Sequence, residues 1–146
     1  YSNMSPPPKR SVVVPVDLSD ESFSAVDVGL EYVNDPSHLH VVHVLRDVTA
    51  AELEQIWDEI DQREWQSKAK QTLEKRFADE KYCGVGIEVV FGSPGESIVE
   101  CADRVGAELI VMPSHGRRGI SRLLLGSVTE RVLRLAHCPV LVLKAG

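Results

Sequence analysis

The strongest constraint on the fold is a set of short, mostly apolar runs with little polar–apolar alternation. They are Ser11–Val16 (SVVVPV), His38–Leu45 (HLHVVHVL), Ile87–Phe91 (IEVVF), Leu109–Met112 (LIVM) and Pro139–Leu143 (PVLVL). A strand with one face in water alternates; a run that stays apolar belongs to a strand covered on both faces. The segments between these runs carry apolar residues at helical spacing instead. Ala25, Val28, Gly29, Tyr32 and Val33 recur after DLSDES, and Asn34-Asp35-Pro36 ends that pattern. Ser19 or Asp17 can cap this helix, with Asp20 and Glu21 in its first turn. A long helical region over 51–78 places Leu53, Ile56, Trp57 and Ile60 on one face. Trp65, Ala69, Leu73 and Phe77 continue that face with a phase slip, which implies a kink or two helices.

Gly84 and Gly86 bracket a turn before the third strand. Ser93-Pro94-Gly95-Glu96 then starts a helix, with serine at the cap, proline first and glutamate three residues after the cap. Ile98, Cys101, Ala102 and Val105 form its buried face, and Ser127 to Ala136 reads as the last helix. Apolar strands joined by helices give a single-domain α/β sandwich, Rossmann-like or flavodoxin-like. It has a five-stranded parallel sheet and about four helices on its two faces. Ligands of such sheets gather at the carboxyl ends of the strands, near a topological switch point. No repeat or linker divides residues 11–146. Residues 1–10 read as a flexible arm, extended by Pro6-Pro7-Pro8, with Tyr1-Ser2-Asn3 before Met4 as a cloning remnant.

The net charge of −6 argues against a nucleic-acid or anionic-membrane surface, and no apolar run approaches a membrane span. Nor does YSNMSPPPKR have the apolar centre of a signal peptide. The three cysteines, Cys83, Cys101 and Cys138, form no CxxC pair and suit reduced thiols in a cytoplasmic protein.

The segment MPSHGRRGISRLLLGSVTE, residues 112–130, starts at a strand's carboxyl end and runs into a helix. Ser127-Val128-Thr129-Glu130 matches a capping box, leaving other first-turn N–H groups to face an anion. Gly126 lets a ligand approach without a Cβ in the way, and Arg117, Arg118 and Arg122 add positive charge. The simpler account is a loop that turns a corner, with Ser127 only a cap and solvated arginines. The other helix starts weigh on the choice: Asp17, Asp20 and Glu21 crowd the first, and Glu96 sits in the third, where each would repel phosphate. Phosphates, if bound, therefore belong at Gly126-Ser127. Asp17 suits either helix capping or the uncharged, donor-rich part of a ligand, such as ribose hydroxyls or a base.

Standard motifs are absent. There is no GxxxxGK[ST], and Gly84-Val85-Gly86 precedes a strand rather than a helix. His38, His40 and His43 fall on a predicted strand, the first two on one face and the third opposite, so three ligands for one metal are not assembled there. His115 sits in the loop within reach of a ligand, but has no acid or nucleophile partner in sequence.

The chain resembles the universal stress protein family from Ser11 to Lys144. The likeness is carried by VVVPVDLSDES, LHVVHV, GSPGESIVECA, AELIVMPSHGRRGISRLLLGSVTERVL and CPVLVLK. The family's nucleotide-binding branch has a signature of Gly, two residues, Gly, nine residues, Gly, then Ser or Thr. Gly116, Gly126 and Ser127 fit it, while Pro113 replaces the first glycine. The resemblance implies that Pro15, Val16 and Asp17 lie beside the adenosine and that Val44 offers backbone to the adenine edge. It places Met112 and Pro113 against base and ribose, and Gly116, Gly126, Ser127 and Val128 around the phosphates, with His115 and Arg117 alongside. Proline keeps the carbonyl a ribose hydroxyl needs but loses an N–H. The resemblance also implies a homodimer joined through residues 139–143, and an apolar edge strand there would invite such pairing. The function expected is an ATP-, ADP- or AMP-binding stress-response regulator, with or without Mg2+. An interaction module with a vestigial site is the alternative. A slow nucleotide hydrolase ranks last, because no general base stands beside the phosphate loop.

Overall fold

The structure, a computed structural model, describes residues 8–46, 59–114 and 125–144. Five strands form one parallel sheet: β1 (Val12–Pro15), β2 (Leu39–Arg46), β3 (Gly86–Gly92), β4 (Leu109–Pro113) and β5 (Val140–Leu143). Their order is β3-β2-β1-β4-β5, so the chain reverses direction of travel between β1 and β4, at the topological switch point. The helices among the described residues are α1 (Asp20–Leu30), α2 (Glu59–Arg76), α3 (Pro94–Arg104) and α4 (Ser127–Leu135). The α/β sandwich expected from the apolar runs is the fold found.

Both faces of the sheet are covered, and each has its own core. Val12, Val14, Val16, Leu39, Val41, Leu45 and Val111 pack with Ala25 and Val26 of α1 and Leu73 of α2. Val13, Val42, Ile110 and Met112 pack with Ile98, Val99, Cys101 and Ala102 of α3 and Val132 of α4. This is why β1 reads as unbroken valine: alternate residues serve opposite cores. Helix α1 lies close on β1, since a Cβ at Gly29 would come within 2.8 Å of Val14 Cγ2.

Several local expectations are refined. Ser19, not Asp17, caps α1, its hydroxyl accepting from Ser22 N at 3.2 Å. Helix α1 ends at Leu30, so Tyr32 and Val33 lie beyond it. His38 belongs to a 3-10 turn, Pro36–His38, because Asp35 Oδ1 accepts from Ser37 N at 2.9 Å. From Glu59 onward α2 is one helix to Arg76, with Leu73 and Phe77 buried and the Trp65 ring edge-on to Phe91 at 5.7 Å. The first part of the long predicted helix, with Leu53, Ile56 and Trp57, lies outside the described residues. So do residues 1–7 of the arm; its last part is tied to the domain, with Lys9 N donating to Tyr32 O at 2.7 Å.

Candidate functional site

The switch point opens because of two prolines. Strands β1 and β4 pair only at Val12↔Leu109 and Val13↔Ile110, although β1 runs on to Pro15 and β4 to Pro113. Successive N–H groups of a strand point to opposite sides. Val16 N donates to Val42 O of β2 at 2.8 Å, so the N–H at position 15 would face β4. Ile110 N and Ser114 N donate towards β5, to Pro139 O and Leu143 O, so the N–H at position 113 would face β1. Both positions are proline and have no proton to give. The ladder stops at Val13↔Ile110, and the carboxyl halves of the two central strands carry no further pairing with each other among the described residues, the arrangement from which a switch-point crevice is made.

Six of the predicted residues sit at these strand ends. Pro15, Val16 and Asp17 leave β1, Val44 lies near the end of the adjoining β2, and Met112 and Pro113 end β4. Met112 is nearly fully buried in the α3/α4 core, with Val44 and Val128 packed against the same cluster. Val16 is buried in the opposite core, so only its backbone is available to a ligand. His115, Gly116 and Arg117 lie outside the described residues, as do Arg118 and Arg122.

The start of α4 differs from the expected capping box. Gly126 is the cap residue, extended at φ −64°, ψ 155°, and Ser127 is the first helical residue. Gly126 O accepts from Glu130 N at 2.9 Å, while the Glu130 carboxylate pairs with Arg134 at 2.9 Å instead of reaching back. No side chain caps this helix among the described residues, so more of its first-turn N–H groups are left for a ligand than a capping box would leave. Two bonds fix this helix start to the end of β4. Gly126 N donates to Ser114 O at 2.7 Å, and the buried Thr129 Oγ1 donates to Pro113 O at 2.9 Å. The Pro113 carbonyl, expected to be kept for a ribose hydroxyl, therefore already serves Thr129 with one lone pair. Thr129→Val should cost about 1–2 kcal/mol in urea unfolding, because that carbonyl loses its donor without loss of side-chain volume.

A cavity of about 470 Å3 adjoins this helix start, lined by Ser127, Val128 and Arg131 of α4, by Arg46 at the end of β2, and by Gly92, Ser93, Pro94, Gly95 and Glu96. The last five, with Arg46 and Arg131, are not among the residues expected from sequence. Glu96 was expected to repel an anion from the start of α3. In the fold its carboxylate accepts from Arg131 Nε at 2.8 Å and Nη2 at 2.7 Å. The hydrogen bond from Ser93 and the Arg131 guanidinium hold this carboxyl below its usual range. Glycine at 95 makes the crossing possible, since a Cβ there would fall 2.4 Å from Arg131 Cγ. Two helix starts thus border one cavity, with the acidic charge of the first matched by Arg131 and a second guanidinium at Arg46.

A five-stranded parallel sheet of order 3-2-1-4-5, covered by helices on both faces, defines a Rossmann-like or flavodoxin-like α/β domain. The chain belongs to the universal stress protein family, whose model matches residues 9–144. It is 37% identical over 142 residues to the universal stress protein MJ0531 of Methanocaldococcus jannaschii, covering 92% of this chain and 82% of that one. The solved structure of MJ0577 from the same organism matches with a TM-score of 0.74 at 26% identity, covering 94% and 96% of the two chains. A universal stress protein in complex with cAMP matches with a TM-score of 0.54 at 28% identity, covering 93% and 97%. One from Archaeoglobus fulgidus in complex with dAMP matches with a TM-score of 0.53 at 25% identity, covering 92% and 97%. No helix among the described residues is long and apolar enough to cross a membrane.

Proposed function

We propose that this protein is an adenine-nucleotide-binding regulator, with the base and ribose in the β1/β4 crevice and the phosphates at the start of α4. The observation that carries this reading is the pair of prolines that ends the β1/β4 ladder beside a helix start with no side-chain cap among the described residues. Backbone N–H groups and the helix dipole favour phosphate there. Asp17, at the edge of the crevice, supplies acceptors for ribose or base. The relatives solved with cAMP and dAMP support an adenylate as the ligand class. Equilibrium dialysis with labelled ATP and AMP, each with and without Mg2+, tests the reading, and mass spectrometry of the protein as purified would identify a nucleotide carried with it. Saturable binding of one nucleotide per chain is expected. Absence of binding at millimolar nucleotide would leave the interaction-module reading, which the use of the Pro113 carbonyl by Thr129 favours.

The same reading places a homodimer at β5, in the cytoplasm. Strand β5 is an edge of the sheet, and all four of its apolar residues are only partly buried. Leu141 and Leu143 pack on one core and Val140 on the other, whereas Val142 belongs to neither cluster among the described residues. An apolar edge that pairs with no further strand among the described residues favours a second copy. Val142→Lys should convert the dimer to a monomer in sedimentation velocity at micromolar protein; a wild-type monomer would refute this interface.

A further inference from the structure

We infer that His43 is the positioning residue of the crevice, holding the turn that presents Asp17. The inference rests on the nucleotide reading only for its effect on binding. His43 is 8% exposed, on β2, and its Nδ1 lies 2.7 Å from Val16 O. A carbonyl can only accept, so Nδ1 carries the proton. The bond reaches across 27 residues to the point where β1 ends and its chain turns into α1. Val16 N is held on the same side by Val42 O, so this peptide stays registered to β2 after the regular ladder has finished at Pro15↔Val42.

The turn into α1 begins directly after that anchor. Asp17 N donates to Ser22 Oγ at 3.3 Å, and Asp17 Oδ1 accepts from Ser19 N at 3.0 Å and from the Ser19 hydroxyl. Ser22 Oγ donates to Ser19 O at 2.8 Å and is itself buried. Between them Leu18 is held at φ 70°, a left-handed conformation that a leucine adopts only under constraint from its surroundings. A turn with one residue in an unfavourable region relaxes when an anchor is lost. The His43 ring supplies a buried anchor from the neighbouring strand, and no other side chain among the described residues donates to the Val16 carbonyl.

The test compares His43→Leu, His43→Asn and His43→Gln with the wild type. An asparagine amide places a donor near the Nδ1 position, whereas a glutamine amide places it near Nε2. Hydrogen exchange of the Asp17, Ser19 and Ser22 amides in nucleotide-free protein is the first readout. It should accelerate about tenfold in His43→Leu and His43→Gln, and stay within about threefold of wild type in His43→Asn. AMP affinity by dialysis should follow the same order, falling about tenfold and recovering with asparagine. Long-range 1H–15N correlation of the wild type should find the proton on Nδ1. Wild-type exchange rates in His43→Leu, an asparagine variant as fast as the leucine one, or a proton on Nε2 would each overturn the inference. A wild type that binds no AMP would sink the nucleotide reading alone, because the exchange rates decide the role of His43 without ligand.

Discussion

Replacing Gly126 with valine is expected to lower nucleotide affinity at least about a hundredfold and leave the fold in place. The backbone at Gly126, φ −64° and ψ 155°, is one that valine adopts readily, so the substitution adds no strain. Its N–H can still reach Ser114 O and its carbonyl can still accept from Glu130 N, so the connection between β4 and α4 survives. What changes is the residue directly before the helix, where a branched side chain replaces a hydrogen beside the phosphate position proposed above. Dialysis with ATP and AMP measures the loss, and urea unfolding checks that the midpoint hardly moves. Unchanged affinity in a folded Gly126→Val protein would mean that the ligand binds elsewhere.

The second large effect concerns stability. Ile110→Ala should destabilise the protein by about 3–4 kcal/mol, a large share of the total for a domain of this size. Ile110 is fully buried, and it pairs with Val13 on one side and Val140 on the other, in the middle of the sheet. Its side chain lies in the α3/α4 core with Ile98, Val99, Met112 and Val132, where five elements meet and none can close the void alone. Urea unfolding with an unchanged slope measures it. A cost below about 1 kcal/mol would mean that this core can collapse around the gap.

The sheet and its helices were legible in sequence because they depend on local pattern. Unbroken valine in β1, the Ser93-Pro94 start of α3 and the helical spacing of Ile98, Cys101 and Ala102 each state their own environment. The site was legible only in part. The candidate residues were placed by resemblance, and those the structure describes lie at the carboxyl ends of β1, β2 and β4 and at the start of α4. The contacts that shape them join residues far apart in the chain. Glu96 looked repulsive because Arg131, 35 residues on, is invisible from its neighbourhood. Ser127 looked like a cap because SVTE fits the local rule. The bond from Gly126 N to Ser114 O pins the glycine in extended form and moves the cap back by one residue. Thr129, which fills the carbonyl of Pro113, and His43, which fills that of Val16, gave no local signal at all. Arg46 had one faint sign, a cation placed directly after an apolar strand run.

The prolines at 15 and 113 set a lasting property of the slot between the central strands. A backbone bond that is merely unformed can form when a guest departs, and an empty cleft can then zip shut. A bond that lacks its proton has no such option, in acid or base, at low salt or high. The sheet therefore cannot close this slot by completing its own ladder, and a guest held there would come and go without the main chain coming apart.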